Sequence, residues 1–184
     1  MNIFFLDNDP VVAAQMQCNK HVVKMILEYA QLLSTSHRIC DGTQYVEMNK
    51  TGKVRIKRWR LNDSRESVLY KATHVNHPSN IWARESKQNY EWLYEHFCAL
   101  CDEYTHRYKK THETDRKLRS VLAQVPQNAP DIGMTKIRIA IDRAECIKSD
   151  PIESYRAYYK TKQERFNMVW TNRDVPNWFL AEAA

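Results

Sequence analysis

The sequence predicts a mainly helical, all-α single domain with one short β-hairpin insertion. Three observations lead there. Only three glycines occur in 184 residues, so long stretches run without a breaker. Several of those stretches place apolar side chains at helical spacing. One segment, residues 43–60, departs from this pattern and alternates as a hairpin would. The length suits one domain with a substantial core, so residues 1–184 are read as one unit.

The elements follow in order. "NIFFL" opens the chain as a short apolar run and is read as a strand. Asp9 before Pro10 makes an N-cap with proline at the first helical position. A helix, or two in tandem, then runs to about His37, with "CDG" at 40–42 ending the region. Two β-rich runs flank Asn49–Gly52, a hairpin loop. Lys53, Arg55 and Lys57 alternate along the second run, so one face of that strand is cationic. The competing reading is an ordinary solvated hairpin. Residues 74–108 give the longest helical signal, starting at Pro78, with Trp82, Asn89, Leu93, Phe97, Leu100 and Tyr104 on one stripe. "QVPQNAPDIG" is a loop, which leaves 112–123 as a further helix. After Asp150-Pro151 another helix is expected through "IESYRAYYKTKQERFNMVW".

A formal charge of +6 and a pI near 9.0 favour a polyanionic partner, although many basic proteins bind no nucleic acid. The five cysteines at 18, 40, 98, 101 and 146 are odd in number and lack the spacing of a secreted framework, so a cytoplasmic location is expected. No apolar run reaches the roughly 20 residues of a membrane span, and the N-terminus lacks signal-peptide character.

The chemistry concentrates in "KHVVKMILEYAQ", residues 20–31. His21, Lys24, Glu28 and Gln31 recur at offsets of three, four and three, within an arc of about 80° on a helix. Val22, Ile26, Ala30 and Leu33 share the other side. A polar row on a helix is commonly its solvent face. This one is a narrow strip in an apolar segment, and it combines a carboxylate, an amine and an imidazole. Those are the parts needed for acid–base work and capture of an electrophilic carbon.

A second polar group, His74, His77, Trp82, Arg84 and Glu85, gathers around a helix N-terminus. That arrangement suits a phosphate, or else is capping and loop packing. Cys98 and Cys101 with His106 and His112 match zinc ligands in number. Their mid-helix place beside Phe97 and Leu100 makes them buried thiols instead, so no metal is expected. Tyr155, Tyr158 and Tyr159 with Arg156 and Lys160 suit either base stacking or an amphipathic helix packing its rings inward.

Taken together, "FFLDNDPVVAAQMQCNKHVVKMILEYAQLL" and "NHPSNIWARESKQNYEWLYEHFCALCDEYTHR" resemble the pyrimidine-dimer DNA glycosylase (endonuclease V-like) family, including its phage and bacterial branches. The likeness covers residues 2–38 and 74–108. It implies an all-α fold and cleavage of the N-glycosidic bond of a damaged or modified base in double-stranded DNA. Base flipping would be required, with no cofactor. A monomer is expected. By the same resemblance Glu28 falls on the family's acid–base and charge-stabilising glutamate, His21 on an imidazole seven positions earlier, and Gln31 on a site where the dimer-specific enzyme has arginine.

One departure concerns the nucleophile. The characterised enzyme of that family forms a Schiff base through the α-amine of a small N-terminal residue, exposed by methionine removal. Here that residue is Asn2, before which methionine is usually retained, so either Met1 supplies the amine, or Lys24 replaces it, or no covalent step occurs and the abasic strand stays uncut. On this reading His21 and Gln31 orient the sugar or phosphate. His74, His77, Trp82, Arg84 and Asn89 bind the base or its phosphate, and Lys53, Arg55, Lys57, Arg58 and Arg156 follow the DNA backbone. Two alternatives are an N-glycosidase for a free or hypermodified nucleotide and a non-catalytic DNA-binding or inhibitor protein on the same fold.

Overall fold

A computed structural model describes residues 1–180 of the protein. The chain enters as an irregular buried segment and then forms α1 (Pro10–Gln15) and α2 (Asn19–Asp41). The hairpin follows as β1 (Thr43–Met48) and β2 (Arg55–Arg60). After it come α3 (Arg65–Val68), α4 (Pro78–Ala83), α5 (Lys87–Tyr108), α6 (Glu113–Leu122), α7 (Pro151–Lys160) and α8 (Asn177–Leu180), with 3-10 turns at Ala144–Cys146 and Thr161–Glu164. The architecture is therefore mainly α with one two-stranded antiparallel hairpin, as the sequence predicts.

α2 and α5 pack together, α1 lies across α5, and α4 and α6 cover α2. Val22, Ile26, Ala30 and Leu33 of α2 are all fully buried, so the apolar side read from the sequence is the core side. Asp9 caps α1 by accepting from the Val11 and Val12 amides at 2.7 and 3.2 Å. α2 stops at Gly42, where a side chain would place its Cβ 2.4 Å from the Arg38 carbonyl oxygen. Only glycine fits there. The hairpin register runs from Thr43↔Arg60 to Met48↔Arg55, and its loop is organised by Asn49 Oδ1, which accepts from the Lys53 and Val54 amides.

Three expectations are corrected. "NIFFL" is not a strand: among the described residues no strand lies beside it to complete a ladder. Its backbone is satisfied by side chains and local turns instead: Phe4 N–H donates to Tyr29 Oη at 3.2 Å, and Leu6 N–H to the Phe4 carbonyl. The helix expected to run unbroken from Pro78 is two helices. Ser86 leaves the helical conformation to cap α5 by accepting from the Asn89 amide, which outweighs the local propensity to continue. The helix after Pro151 ends at Lys160, where Thr161 Oγ1 donates to the Tyr158 carbonyl. The chain then turns so that the Asn19 amide can donate to the Val169 carbonyl and Trp170 Nε1 to that of Met16.

A buried ion network locks the α1–α2 joint. Arg107 pairs with Glu103 and donates to the Gln15 and Gln17 carbonyls, while Arg173 closes on the same Glu103. Removing one member leaves charge and carbonyls unpaired in the interior, which typically costs about 3–5 kcal/mol. Arg107→Ala should lower the stability by that order in urea unfolding, and a loss under 1 kcal/mol would reject the network's role.

Candidate active site

The N-terminal segment runs along α2, and this pairing builds the site. Tyr29, one residue after Glu28, holds the Phe4 amide and accepts from Gln17 Nε2; His96 adjoins both. With Phe4 pinned, Asn2 falls opposite Glu28. The Asn2 amide donates to Glu28 Oε2 at 3.3 Å, and the Met1 α-ammonium is 3.8 Å from the same oxygen. Asn2 Nδ2 donates to the Ala140 carbonyl at 2.7 Å, which fixes the segment on its other side. From α2 itself, Lys24 Nζ lies 3.1 Å from Glu28 Oε1. The Glu28 side chain is 14% exposed and that of Lys24 65%.

These groups open on a cavity of about 470 Å³. His21, Lys24 and Glu28 of the polar row all line it, with Met1, Asn2 and His77. Its other wall comes from Asp142, Tyr158, Lys162, Arg165 and Phe166. Lys20, Lys24, Lys162, Arg165 and the terminal ammonium face Glu28 and Asp142, so the cavity attracts anions. Lys162 is almost buried, with its ammonium 3.4 Å from the centre of the Tyr158 ring. Burial lowers its pKa, against the opposing pull of Asp142.

The remaining residues separate. His77 caps α4, its Nδ1 accepting from the Ser79 amide, and its pKa is lowered by burial and by the nearby terminal ammonium. Gln31 is absent from the cavity lining, a turn beyond Glu28. His74 is exposed and borders a different hollow, between the hairpin and residues 72–76. Trp82 is wholly inside the core and donates from Nε1 to the Thr135 carbonyl, so no base can stack on it. Asn89 is equally enclosed, donating to the Trp82 carbonyl and to Thr135 Oγ1, and it clamps the α4–α5 break. Arg84 is half-buried and outside the cavity lining, with its pKa lowered by burial. Arg156 donates to the Leu6 carbonyl and pairs with Asp7, and Arg58 pairs with Glu47. Lys53, Arg55 and Lys57 point to solvent.

Sequence reasoning missed the second wall. Tyr158 was one of three tyrosines whose direction was open, and Tyr155 and Tyr159 prove to be core residues. Lys162, Arg165 and Phe166 carried no motif; only their place after α7 brings them to α2. A second cavity of about 440 Å³, beside α1 and α5, is a poorer candidate, because its Asp102 and Glu103 are already paired with arginines. Cys98 and Cys101 lie mid-helix in α5, and burial pushes the Cys101 thiol well above its ordinary range. Among the described residues, no helix is long and apolar enough to cross a membrane.

Comparison with known families bears directly on this geometry. Residues 1–116, well over half of the chain, match the family model described as pyrimidine dimer DNA glycosylase. The chain belongs to that family. The match contains α1 to α5, hence the polar row, the N-terminal segment and His77, while the wall from Asp142 to Phe166 lies beyond it. No curated protein and no solved structure gives a significant match. As a pyrimidine dimer DNA glycosylase family member, the protein is assigned to the DNA glycosylases and to a DNA substrate at the level of the family.

Proposed function

We propose that the protein removes a damaged or modified base from duplex DNA by cleaving its N-glycosidic bond, with Glu28 as the acid–base group. The observation that carries this reading is the meeting of a carboxylate and two amines in one cationic cavity. A carboxylate there stabilises positive charge developing on the sugar and accepts a proton from the attacking group. Reaching the sugar carbon requires the nucleotide to leave the stack, and the cationic rim receives its phosphates. Lys53, Arg55 and Lys57 on the solvent side of the hairpin are the groups proposed to follow the duplex backbone.

The amine proposed as nucleophile is that of Met1. Its side chain is 4% exposed and sits in the core margin, so the amine is held in one place, whereas Lys24 extends into solvent. The terminal ammonium first gives up a proton; the freed nitrogen attacks C1′, and the base departs with the bonding pair and takes up that proton. The amine nitrogen then loses a second proton to Glu28, which passes it to the ring oxygen as the sugar opens to a protonated imine and that oxygen becomes a hydroxyl. Borohydride reduction during turnover on duplexes bearing ultraviolet-damaged, oxidised or modified bases should trap a protein–DNA adduct that maps to the N-terminal peptide. An adduct on Lys24 would move the nucleophile. Base release with neither an adduct nor a strand break would leave hydrolysis by water, and no base release from any duplex would reject the glycosylase reading.

A further inference from the structure

The imidazole of His21 sits in an aromatic box formed by Phe4, Tyr159 and Phe166, with ring centroids 4.7, 5.0 and 5.5 Å away. Its Nδ1 is 2.7 Å from Tyr159 Oη. That oxygen already accepts the Cys18 amide hydrogen at 2.9 Å. The phenolic hydrogen then has two possible acceptors, His21 Nδ1 and the Cys18 sulfur beside it. An imidazole nitrogen is much the stronger acceptor. Cys18 Sγ is 3.7 Å from the same Nδ1, a longer and weaker contact than that of Tyr159 Oη. A ring that accepts at Nδ1 carries its hydrogen on Nε2, and Nε2 has no hydrogen-bond partner among the described residues.

We infer that Tyr159 is a positioning residue which holds His21 as an uncharged imidazole donating from Nε2 into the cavity, to an acceptor on the extruded base. This rests on the reading of the cavity as the site of base release. The surroundings agree with it. Burial, then Lys24, Lys162 and Lys20, disfavour a charged ring and lower its pKa to about 3. Those lysines come from α2 and from the 3-10 turn after α7; Tyr159 and Cys18 face the ring from α7 and from the start of α2. Lys20, Lys24, Lys162 and Arg165 line the same cavity and are the groups suited to phosphate oxygens. An uncharged donor adds little beside four cations, but it distinguishes a base carbonyl or ring nitrogen from a group that cannot accept. Glu28 lies seven residues on, about 10 Å along the helix. If the sugar carbon is at Glu28, His21 meets the far side of the nucleotide.

The first test does not depend on turnover. Long-range ¹H–¹⁵N correlation spectra of histidine-labelled protein between pH 5 and 8 should show His21 as the Nε2–H tautomer throughout. An Nδ1–H or doubly protonated ring would overturn the inference. Tyr159→Phe should release the tautomer preference; an unchanged spectrum would remove Tyr159 from the role. The second test uses isosteres on a base-bearing duplex. His21→Gln, whose amide stands in for Nε2, should retain most of kcat/KM, whereas His21→Asn, which mimics Nδ1, should lose about ten-fold, the worth of one hydrogen bond. Binding of a duplex carrying an abasic analogue should be unaffected by either change, and an equal loss there would assign the donor to phosphate and overturn the base contact. If the wild type releases no base at all, the glycosylase reading fails while the spectra still decide the tautomer.

Discussion

Replacing Glu28 by glutamine should reduce base release by about 10²–10⁴-fold, the range in which a positioned acid–base group contributes. Glutamine keeps the shape and the hydrogen bond from the Asn2 amide, but it can neither take a proton nor balance positive charge on the sugar. It also removes the partner of the Lys24 and Met1 ammonium groups. Because the site carries an excess of cations, affinity for duplex DNA should hold or rise. Single-turnover base release and equilibrium binding, measured on the same damaged duplex, separate the two effects. A variant that releases base at the wild-type rate would exclude Glu28 from the chemistry and return the site to a binding role.

Acid should unfold the protein well before its carboxylates are fully protonated. Three histidines are enclosed as neutral rings. Burial is the main cause in each case, lowering His21 to about 3, His37 to about 4 and His96 to about 4. Each accepts a hydrogen bond that an imidazolium could not: Arg65 donates to His37 Nδ1, and Gln17 Nε2 lies 3.1 Å from His96 Nε2 while His96 Nδ1 donates to the Pro10 carbonyl. In the unfolded chain an imidazole takes up a proton near pH 6.5. Below that value the unfolded state therefore binds more protons, and stability must fall as pH falls. The contribution is complete above about pH 6.5 and is lost progressively towards pH 4. By pH 4.5 each ring costs roughly 2–3 kcal/mol, so three together rival the 5–15 kcal/mol that holds a typical domain. Urea unfolding between pH 4.5 and 7.5 should show this slope, and a stability unchanged from pH 7 to pH 5 would contradict it. The same loss would appear as falling activity in acid.

The polar row was legible because a helix obeys a fixed period. His21, Lys24 and Glu28 share a face wherever that helix is placed, and burial of Val22, Ile26, Ala30 and Leu33 turns that face away from the α2–α5 core and towards the cavity. Asp9, Pro10 and the Asn49–Gly52 loop were legible for a similar reason, since caps and turns are made by residues adjacent in sequence. Trp82, Asn89 and Arg84 misled because residue type suggests chemistry without saying which way the side chain points. Asn89 looks like a base reader and spends its amide on a helix break.

By itself, then, the sequence determined the helical class, the hairpin and one wall of the candidate site, which follow from local periodicity and capping, and its likeness to known sequences pointed to the family. The tertiary structure alone decided that residues 1–6 thread beside α2, putting the terminal amine at Glu28. It also decided that the segment after α7 folds back to supply Tyr158, Lys162 and Phe166. The contacts of the second set join residues more than a hundred positions apart. They depend on how α7 and the tail pack against the α1–α2 joint, and no local pattern encodes that packing.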